Sequence, residues 1–308
     1  MHKLPLTLAH LDDAQRKELK RLTSRPVISW PTVVQWVVVV GITLANYTMA
    51  VMALYPLWVG TIINTVMGYM GFSILHDAIH RSISKNVKVN DWLGQSAAFL
   101  GSPYVNLKLF RWGHSLHHRF TNSEKDPDMV FKGPVWSLPL RWMLIDLAYF
   151  RHAIRHGDKV STPELRKTLY MAMLTVCLFA LLIYWGYGWH IFWLWFVPSR
   201  LIFLLLGYSF FWLPHVPHDT VQADNFTRAT AIRAGWEWLM SPLFQWQNYH
   251  LIHHMYPSTP FYNNRRVWQL LEPELRQYDL AVQHNFAIQP TIYPAGTWQS
   301  EEPTAAVS

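Results

Sequence analysis

Cysteine is almost absent from this chain: Cys177 is the single one among 308 residues. A disulfide framework is therefore excluded, as are zinc and iron–sulfur sites built on several thiolates. Charge is equally scarce in two places. Val27 to Leu75 runs for 49 residues without one Asp, Glu, Lys or Arg, and Thr168 to His218 for 51 residues with Arg200 alone. Two such runs are hard to bury in a water-soluble protein of this size, so a soluble helical hairpin is the poorer reading. The first 26 residues are polar and lack the apolar segment of a secretory signal, so no cleaved leader is expected. In excess are tryptophan, at 17, and histidine, at 16.

A helix crossing a bilayer needs roughly 20 apolar residues. Each uncharged block is long enough for two, expected at about 27–54 and 57–75, then 168–186 and 189–213. The turns read as "LYPLW" near Pro56 and "WGYGW" near Gly186–Gly188, both crowded with the Trp and Tyr of an interfacial belt. All Lys and Arg other than Arg200 lie outside the two blocks, which places the N-terminal, middle and C-terminal regions on one side. By the positive-inside rule that side is the cytoplasm. The expected fold is an all-α integral membrane protein, with four transmembrane helices in two hairpins and a cytoplasmic helical cap. In a bacterium it would sit in the inner membrane. The net charge of +7 is then a topological signal and an attraction to anionic headgroups, and no nucleic-acid module is visible. Residues 1–26 hold "LAHLDDAQRKELKRL", a cytoplasmic segment read as an interfacial or solvated helix with Thr7 as its cap. Residues 27–286 form the membrane domain. Within it, "DWLGQSAAFLGSPYVNLKLF" is too short and broken to span and reads as a re-entrant or interfacial element. Residues 287–308, ending in "QSEEPTAAVS", read as a disordered tail.

The histidines are grouped. "HDAIH" supplies His76 and His80, "HSLHH" supplies His114, His117 and His118, and "HLIHH" supplies His250, His253 and His254. "LPHVPH" adds His215 and His218 at the end of the fourth span. Spacings of i,i+4 and i,i+3,i+4 put imidazoles on one face of a helix, with Cβ atoms about 5–6 Å apart. Eight or nine imidazoles exceed the ligand number of one ion, so two metals are the natural count. Imidazole suits Zn, Cu, Fe and Ni alike, and spacing does not choose among them. His2, His10 and His284 look incidental, and His152, His156 and His190 look like ordinary surface or interfacial residues.

The three boxes, in that order around two apolar blocks, resemble the membrane fatty-acid desaturase superfamily over roughly residues 40–270. "HHRFTNSEKDPD" is similar to that family as well. The resemblance implies a four-helix membrane stem whose cytoplasmic cap holds two Fe ions, with O2 and two electrons from a separate donor used to desaturate or hydroxylate lipid chains. "WLPHVPH" with "YHLIHHMYPSTPFY" resembles the branch containing carotenoid hydroxylases and ketolases. That likeness implies a ninth ligand at His215, with His218 the competing choice.

A ligating imidazole donates its other N–H to a neighbouring acceptor. Asp77, Asp126, Asp128 and Asn122 are the candidates nearest the boxes, followed by Asn248. Trp112, Trp246 and Tyr249, with Phe110 and Phe244, are candidate walls for a long apolar substrate, although packing is the commoner use of each. Arg200 has to face protein or water rather than lipid. No electron-carrier domain is visible, so a separate ferredoxin or cytochrome is expected, steered by the basic face. The leading reading is a fatty-acyl desaturase. Carotenoid-ring hydroxylation or ketolation and fatty-acyl hydroxylation stand beside it. A membrane metal carrier or sensor is the non-enzymatic alternative, disfavoured because the boxes lie outside the spans.

Overall fold

The computed structural model describes residues 4–299. In chain order the elements are α1 (Asp13–Thr23), α2 (Trp30–Val51), α3 (Leu57–Ile79), α4 (Val87–Gly101), α5 (Leu107–Phe120), α6 (Leu138–Met143), α7 (Ile145–His156) and α8 (Ser161–Tyr184). They continue with α9 (Gly188–Ile191), α10 (Val197–Leu206), α11 (Phe226–Ala229), β1 (Ile232–Ala234), α12 (Glu237–Leu243), α13 (His250–Met255), α14 (Asn264–Leu275), β2 (Leu280–His284) and β3 (Thr291–Tyr293). The residues fall into two compact units. The helical unit is Arg25–His117 with Val130–Tyr208, and the α/β unit takes the segment up to Ser24, His118–Met129 and the chain from Ser209 onward.

Four stretches of the described residues are long and apolar enough to cross a membrane: α2, α3, α8 and Gly188–His215. α8 makes the physical point most clearly. Only 11% of its apolar window is buried by the protein, and Leu174 and Val176 stand about two-thirds exposed. Such a helix needs lipid as its solvent.

In the helical unit, polar side chains hold the apolar helices together. Asn46 of α2 donates to Gly60 O at 2.9 Å and to Asn64 Oδ1 at 2.6 Å, while Gln35 donates to Met70 O and Ser73 Oγ, both at 2.8 Å. α2 and α3 therefore run side by side in opposite directions. Two glycines permit close approach. A Cβ on Gly68 would lie 2.1 Å from Ile202 Cδ1, and one on Gly94 would lie 2.2 Å from Ala78 Cβ. The fourth apolar stretch is not a regular helix. Pro198 has no N–H to give Leu194 O, and the backbone widens into a π-helical turn at Phe192–Phe196. Asn64 Nδ2 supplies the missing donor to Leu194 O at 2.7 Å, and Thr61 donates to Trp193 O. A carbonyl at membrane depth has to be satisfied by protein in this way.

Arg200, the one charge in that stretch, lies inside the helical unit. It forms a two-pronged pair with Asp146 of α7, with Nη2 at 2.8 Å and Nη1 at 3.2 Å from the carboxylate oxygens. Tyr104 hydrogen-bonds to both partners.

The α/β unit is built on an apolar cluster in which Leu19 and Leu22 of α1 meet Val267, Trp268, Leu271 and Leu275 of α14. Leu251 and Ile252 of α13 face the same cluster. β1 pairs parallel to β2, and β2 antiparallel to β3. The sequence reading contained no strands; segments of three to five residues carry too little periodicity to be seen. β3 and the buried Trp298 lie in the segment expected as a tail, while residues 300–308 of that segment are outside the described residues. The cap of α1 is Asp12, in a reciprocal box with Gln15, rather than Thr7.

Thr7 has another role. Its backbone N–H and hydroxyl, with the Leu8 N–H, donate to the Glu274 carboxylate and tie the N-terminal arm to α14. Burial works to raise this carboxyl, but the Thr7 and Leu8 donors outweigh it and hold it below the usual range. A lowered carboxyl stabilises above its ordinary value of about 4.3 and loses that contribution as pH falls through the lowered value. Glu274→Ala is therefore expected to speed amide exchange at Thr7 and Leu8 by about tenfold or more at neutral pH, the worth of a charge-assisted hydrogen bond. Acid should release the wild-type arm in the same assay.

Candidate metal centre

Each unit gathers histidines by its own means. In the helical unit, α3 carries His76 and ends at its cap His80, one turn later on the same face. α5 brings His114 against both. The ring centroids are 5.0 Å apart for His76–His80, 5.0 Å for His76–His114 and 4.9 Å for His80–His114. One ligand nitrogen from each of the three lies within 4.8 Å of the others. His117 follows on α5, its ring 5.5 Å from that of His114.

The register of α5 on α3 is set by Arg111, one turn before His114. Its Nε donates to Ile79 O at 2.9 Å and its Nη2 to Ala78 O at 2.8 Å, satisfying carbonyls at the C-terminal end of α3. The guanidinium also pairs with Asp91 of α4, and Asn90 donates to Ala78 O at 2.8 Å. Burial pushes the Asp91 carboxyl up, but the Arg111 and Asn90 donors prevail and hold it below its ordinary range. Arg111→Met is expected to weaken metal retention about 10–100-fold, the usual cost of losing a group that orients a ligand. Metal content after dialysis against a chelator checks this, with Arg111→Lys recovering only part because one ammonium does not reproduce the fork.

In the α/β unit, His215 meets His250 and His254 of α13. Their ligand nitrogens lie within 4.8 Å of one another, and all three rings are buried. On this short helix Leu251 and Ile252 pack into the core, while His250, His253 and His254 take the other positions. Each ring of the His215 group presents Nδ1 to an oxygen. His215 Nδ1 lies 3.1 Å from Ala229 O, His250 Nδ1 2.6 Å from Gln247 Oε1, and His254 Nδ1 3.3 Å from Gln222 Oε1. Gln222 is itself oriented, since its Nε2 donates to His118 O at 3.0 Å and its Oε1 accepts from Thr121 at 3.1 Å. Oxygen acceptors require the proton on Nδ1, so Nε2 carries the lone pair in each ring, as metal ligation needs. His118 and His253 add a further sign: their Nε2 atoms are 3.0 Å apart. Two nitrogens held by one ion at about 2.1 Å, at right angles, would stand about 3 Å apart. The donor set thus fits a metal site in both chemistry and spacing.

His218 is buried beside His215, with ring centroids 6.1 Å apart, but joins no group of ligand atoms among the described residues. Asp77 accepts from Thr32 at 3.2 Å. Asp126 accepts the backbone N–H groups of Asn122 at 2.8 Å and Asp128 at 2.9 Å, knitting the turn that holds the two aspartates. Asn122 donates to Ala229 O, the same carbonyl that receives His215. Phe110 lies against His114, whereas Phe244 lies under Arg233. Trp112 donates to Asp158 at 3.1 Å, Trp246 packs on Phe261, and Tyr249 is buried in the core with its hydroxyl on Glu237 at 2.6 Å. Asn248 donates to the same carboxylate at 3.0 Å. Arg111, Gln222 and Gln247 were missed by sequence reasoning. Gln247, three residues before His250, carried a helical spacing as its signal; the others had no local signal.

The fatty acid desaturase family model matches residues 50–286. Among similar proteins, a beta-carotene ketolase of Paracoccus sp. (strain PC1) is 29% identical over 198 residues, covering 64% of this chain and 72% of that protein. An sn-1 oleoyl-lipid 12-desaturase of Arthrospira platensis is 28% identical, covering 77% and 74%. A chloroplastic omega-6 fatty acid desaturase of Brassica napus is 27% identical, covering 93% and 69%.

Proposed function

This chain belongs to the fatty acid desaturase family, and on that footing we propose that it is an O2-dependent di-iron oxidase of membrane lipids, acting as a fatty-acyl desaturase. The observation that carries the reading is the convergence of histidines from separate boxes, three imidazoles in each unit with ligand atoms within 4.8 Å. The nine ligands proposed are His76, His80, His114, His117, His118, His215, His250, His253 and His254. A pair of irons held by them supplies activation of O2. The protein's own part is to fix the rings. Gln247, Gln222 and the Ala229 carbonyl keep the proton on Nδ1 in the α/β unit, and Arg111 holds α5 on α3 in the helical unit. Burial of eight of the nine rings, all but His80, keeps bulk water from the reacting chain.

The substrate proposed is a long apolar lipid taken from the bilayer. The positive-inside bias supports a site on the cytoplasmic side, and a separate ferredoxin or cytochrome is the electron donor proposed. A second reading, oxidation of a carotenoid ring, is favoured by the similarity to a beta-carotene ketolase.

The test is expression in a host supplying acyl lipids and β-carotene, with mass spectrometry of both pools and metal analysis of the purified protein. Loss of two hydrogens from an acyl chain, with two irons per chain, supports the desaturase. Gain of oxygen on the carotenoid moves the assignment to hydroxylase, and gain of oxygen with loss of two hydrogens moves it to ketolase. Stoichiometric zinc, with His117→Ala leaving function intact, overturns the enzyme reading in favour of a metal carrier or sensor.

A further inference from the structure

α12 is built inside out. A helix on a water-soluble surface turns its polar residues outward. In this one Glu237 points into the protein, accepting from Asn248, Tyr249 and Ser241, and Ser241 is buried. Its exposed residues are Trp238, Pro242 and Leu243, with Trp238 79% and Leu243 45% exposed. Beside them Trp236 and Phe286, each over half exposed, form an edge-to-face pair at 5.5 Å. An apolar face of this kind needs a cover.

Two observations name it. The first is position. Ala231, just before β1, donates to Pro214 O at 2.8 Å, and Gln283 of β2 donates to Leu213 O at 2.8 Å. Leu213 and Pro214 are the last turn of the fourth apolar stretch. The sheet, and α12 that follows it, is thus fastened directly to the point where the chain leaves that stretch. The second is charge. Ala234 to Asn264 contains no Lys or Arg, and Glu237 is its single acidic residue. An acidic electron carrier finds no cation there, whereas Trp-rich, uncharged surface next to a span is what the headgroup boundary selects.

We propose that α12, with Trp236 and Phe286, is a membrane-interface anchor that dips into the bilayer surface beside the exit of the fourth apolar helix. It secures the α/β unit to the lipid surface through α12. Glu237 then links that face to the ligand helix, since Asn248 and Tyr249 immediately precede His250. The inference stands apart from the oxidation chemistry and holds equally in inactive protein.

The near absence of cysteine makes the test direct. The native Cys177 is exposed on α8, and a spin label there gives a lipid reference. In a Cys177→Ser background, labels are placed at Trp238→Cys, at Leu243→Cys and, as a water reference, at Lys17→Cys on α1. The full chain is reconstituted in nanodiscs of phosphatidylcholine and phosphatidylglycerol. Relaxation by dissolved oxygen is compared with relaxation by a water-soluble nickel chelate. The oxygen-to-nickel ratio at 238 and at 243 is expected to shift from that of Lys17 towards that of Cys177. A ratio equal to that of Lys17 at both sites overturns the proposal. Protection from both reagents also overturns it, since the cover would then be protein. Two exposed, independent positions guard against a single variant that fails to fold.

Discussion

If the chain is the proposed di-iron oxidase, replacing His250 with alanine is expected to remove turnover below detection and to strip iron from the α/β cluster. The ring is 1% exposed and sits between Gln247 and the His215–His254 pair, with centroids 4.9 Å from each of those two rings. Alanine deletes one nitrogen ligand from the cluster. The sharper comparison is Gln247→Leu, which keeps the imidazole and removes the acceptor at 2.6 Å. Without that acceptor the ring is free to place its proton on either nitrogen and to turn. Metal affinity should fall about 10–100-fold while the protein remains folded. Gln247→Glu retains an oxygen acceptor and should recover most of the loss. Iron content, the optical spectrum of the iron-loaded protein and product formation read the series. Full iron in His250→Ala with unchanged turnover would remove α13 from the metal site.

What the sequence displayed and what it concealed divide along a physical line. Signals that repeat within one element were legible. The uncharged runs located the apolar helices because lipid tolerates so few charges, and the i,i+4 histidines declared a shared face because a helix enforces it. The contacts that aim those histidines were not legible. Gln222 reaches His254 across 32 residues, so nothing in local spacing marks it, and Asn122 stood out by its nearness to the second box while its contact with Ala229, 107 residues away, did not. Asp126, a candidate by nearness to the second box, accepts two backbone N–H groups of its own turn, a use that nearness along the chain does not distinguish from orienting a ring. Arg200 was visible as an anomaly because the span around it is apolar. Its partner Asp146, 54 residues away in an amphipathic helix, looked like any surface carboxylate.

Asp146→Ala carries the second large expectation, a loss of about 3–5 kcal/mol in stability, because removing one partner strands the other charge where water is scarce. The pair is enclosed: the Arg200 and Asp146 side chains are 18% and 5% exposed. Its hydrogen bonds are satisfied on every side. Arg200 Nη1 also donates to Met143 O at 3.0 Å, Nη2 to Tyr104 OH at 3.1 Å, and the guanidinium lies over Phe203. Burial, reinforced by the Asp146 carboxylate, pushes the Tyr104 hydroxyl well up, so it stays a donor at any working pH. Tyr104→Phe should therefore cost only one hydrogen bond to a charged group, about 1.5–3 kcal/mol. The double variant Arg200→Met with Asp146→Leu separates two explanations. If the pair matters chiefly because each charge needs the other, an apolar replacement of similar volume restores most of the stability, since neither desolvated charge remains. If the fork is what fixes α7 against α10, the double variant stays as unstable as Asp146→Ala. Unfolding midpoints in detergent, read for the three variants and the wild type, decide between them. Restoration is the expected result, because the α6–α7 segment also packs through Trp142 on Tyr208, a contact both substitutions leave in place.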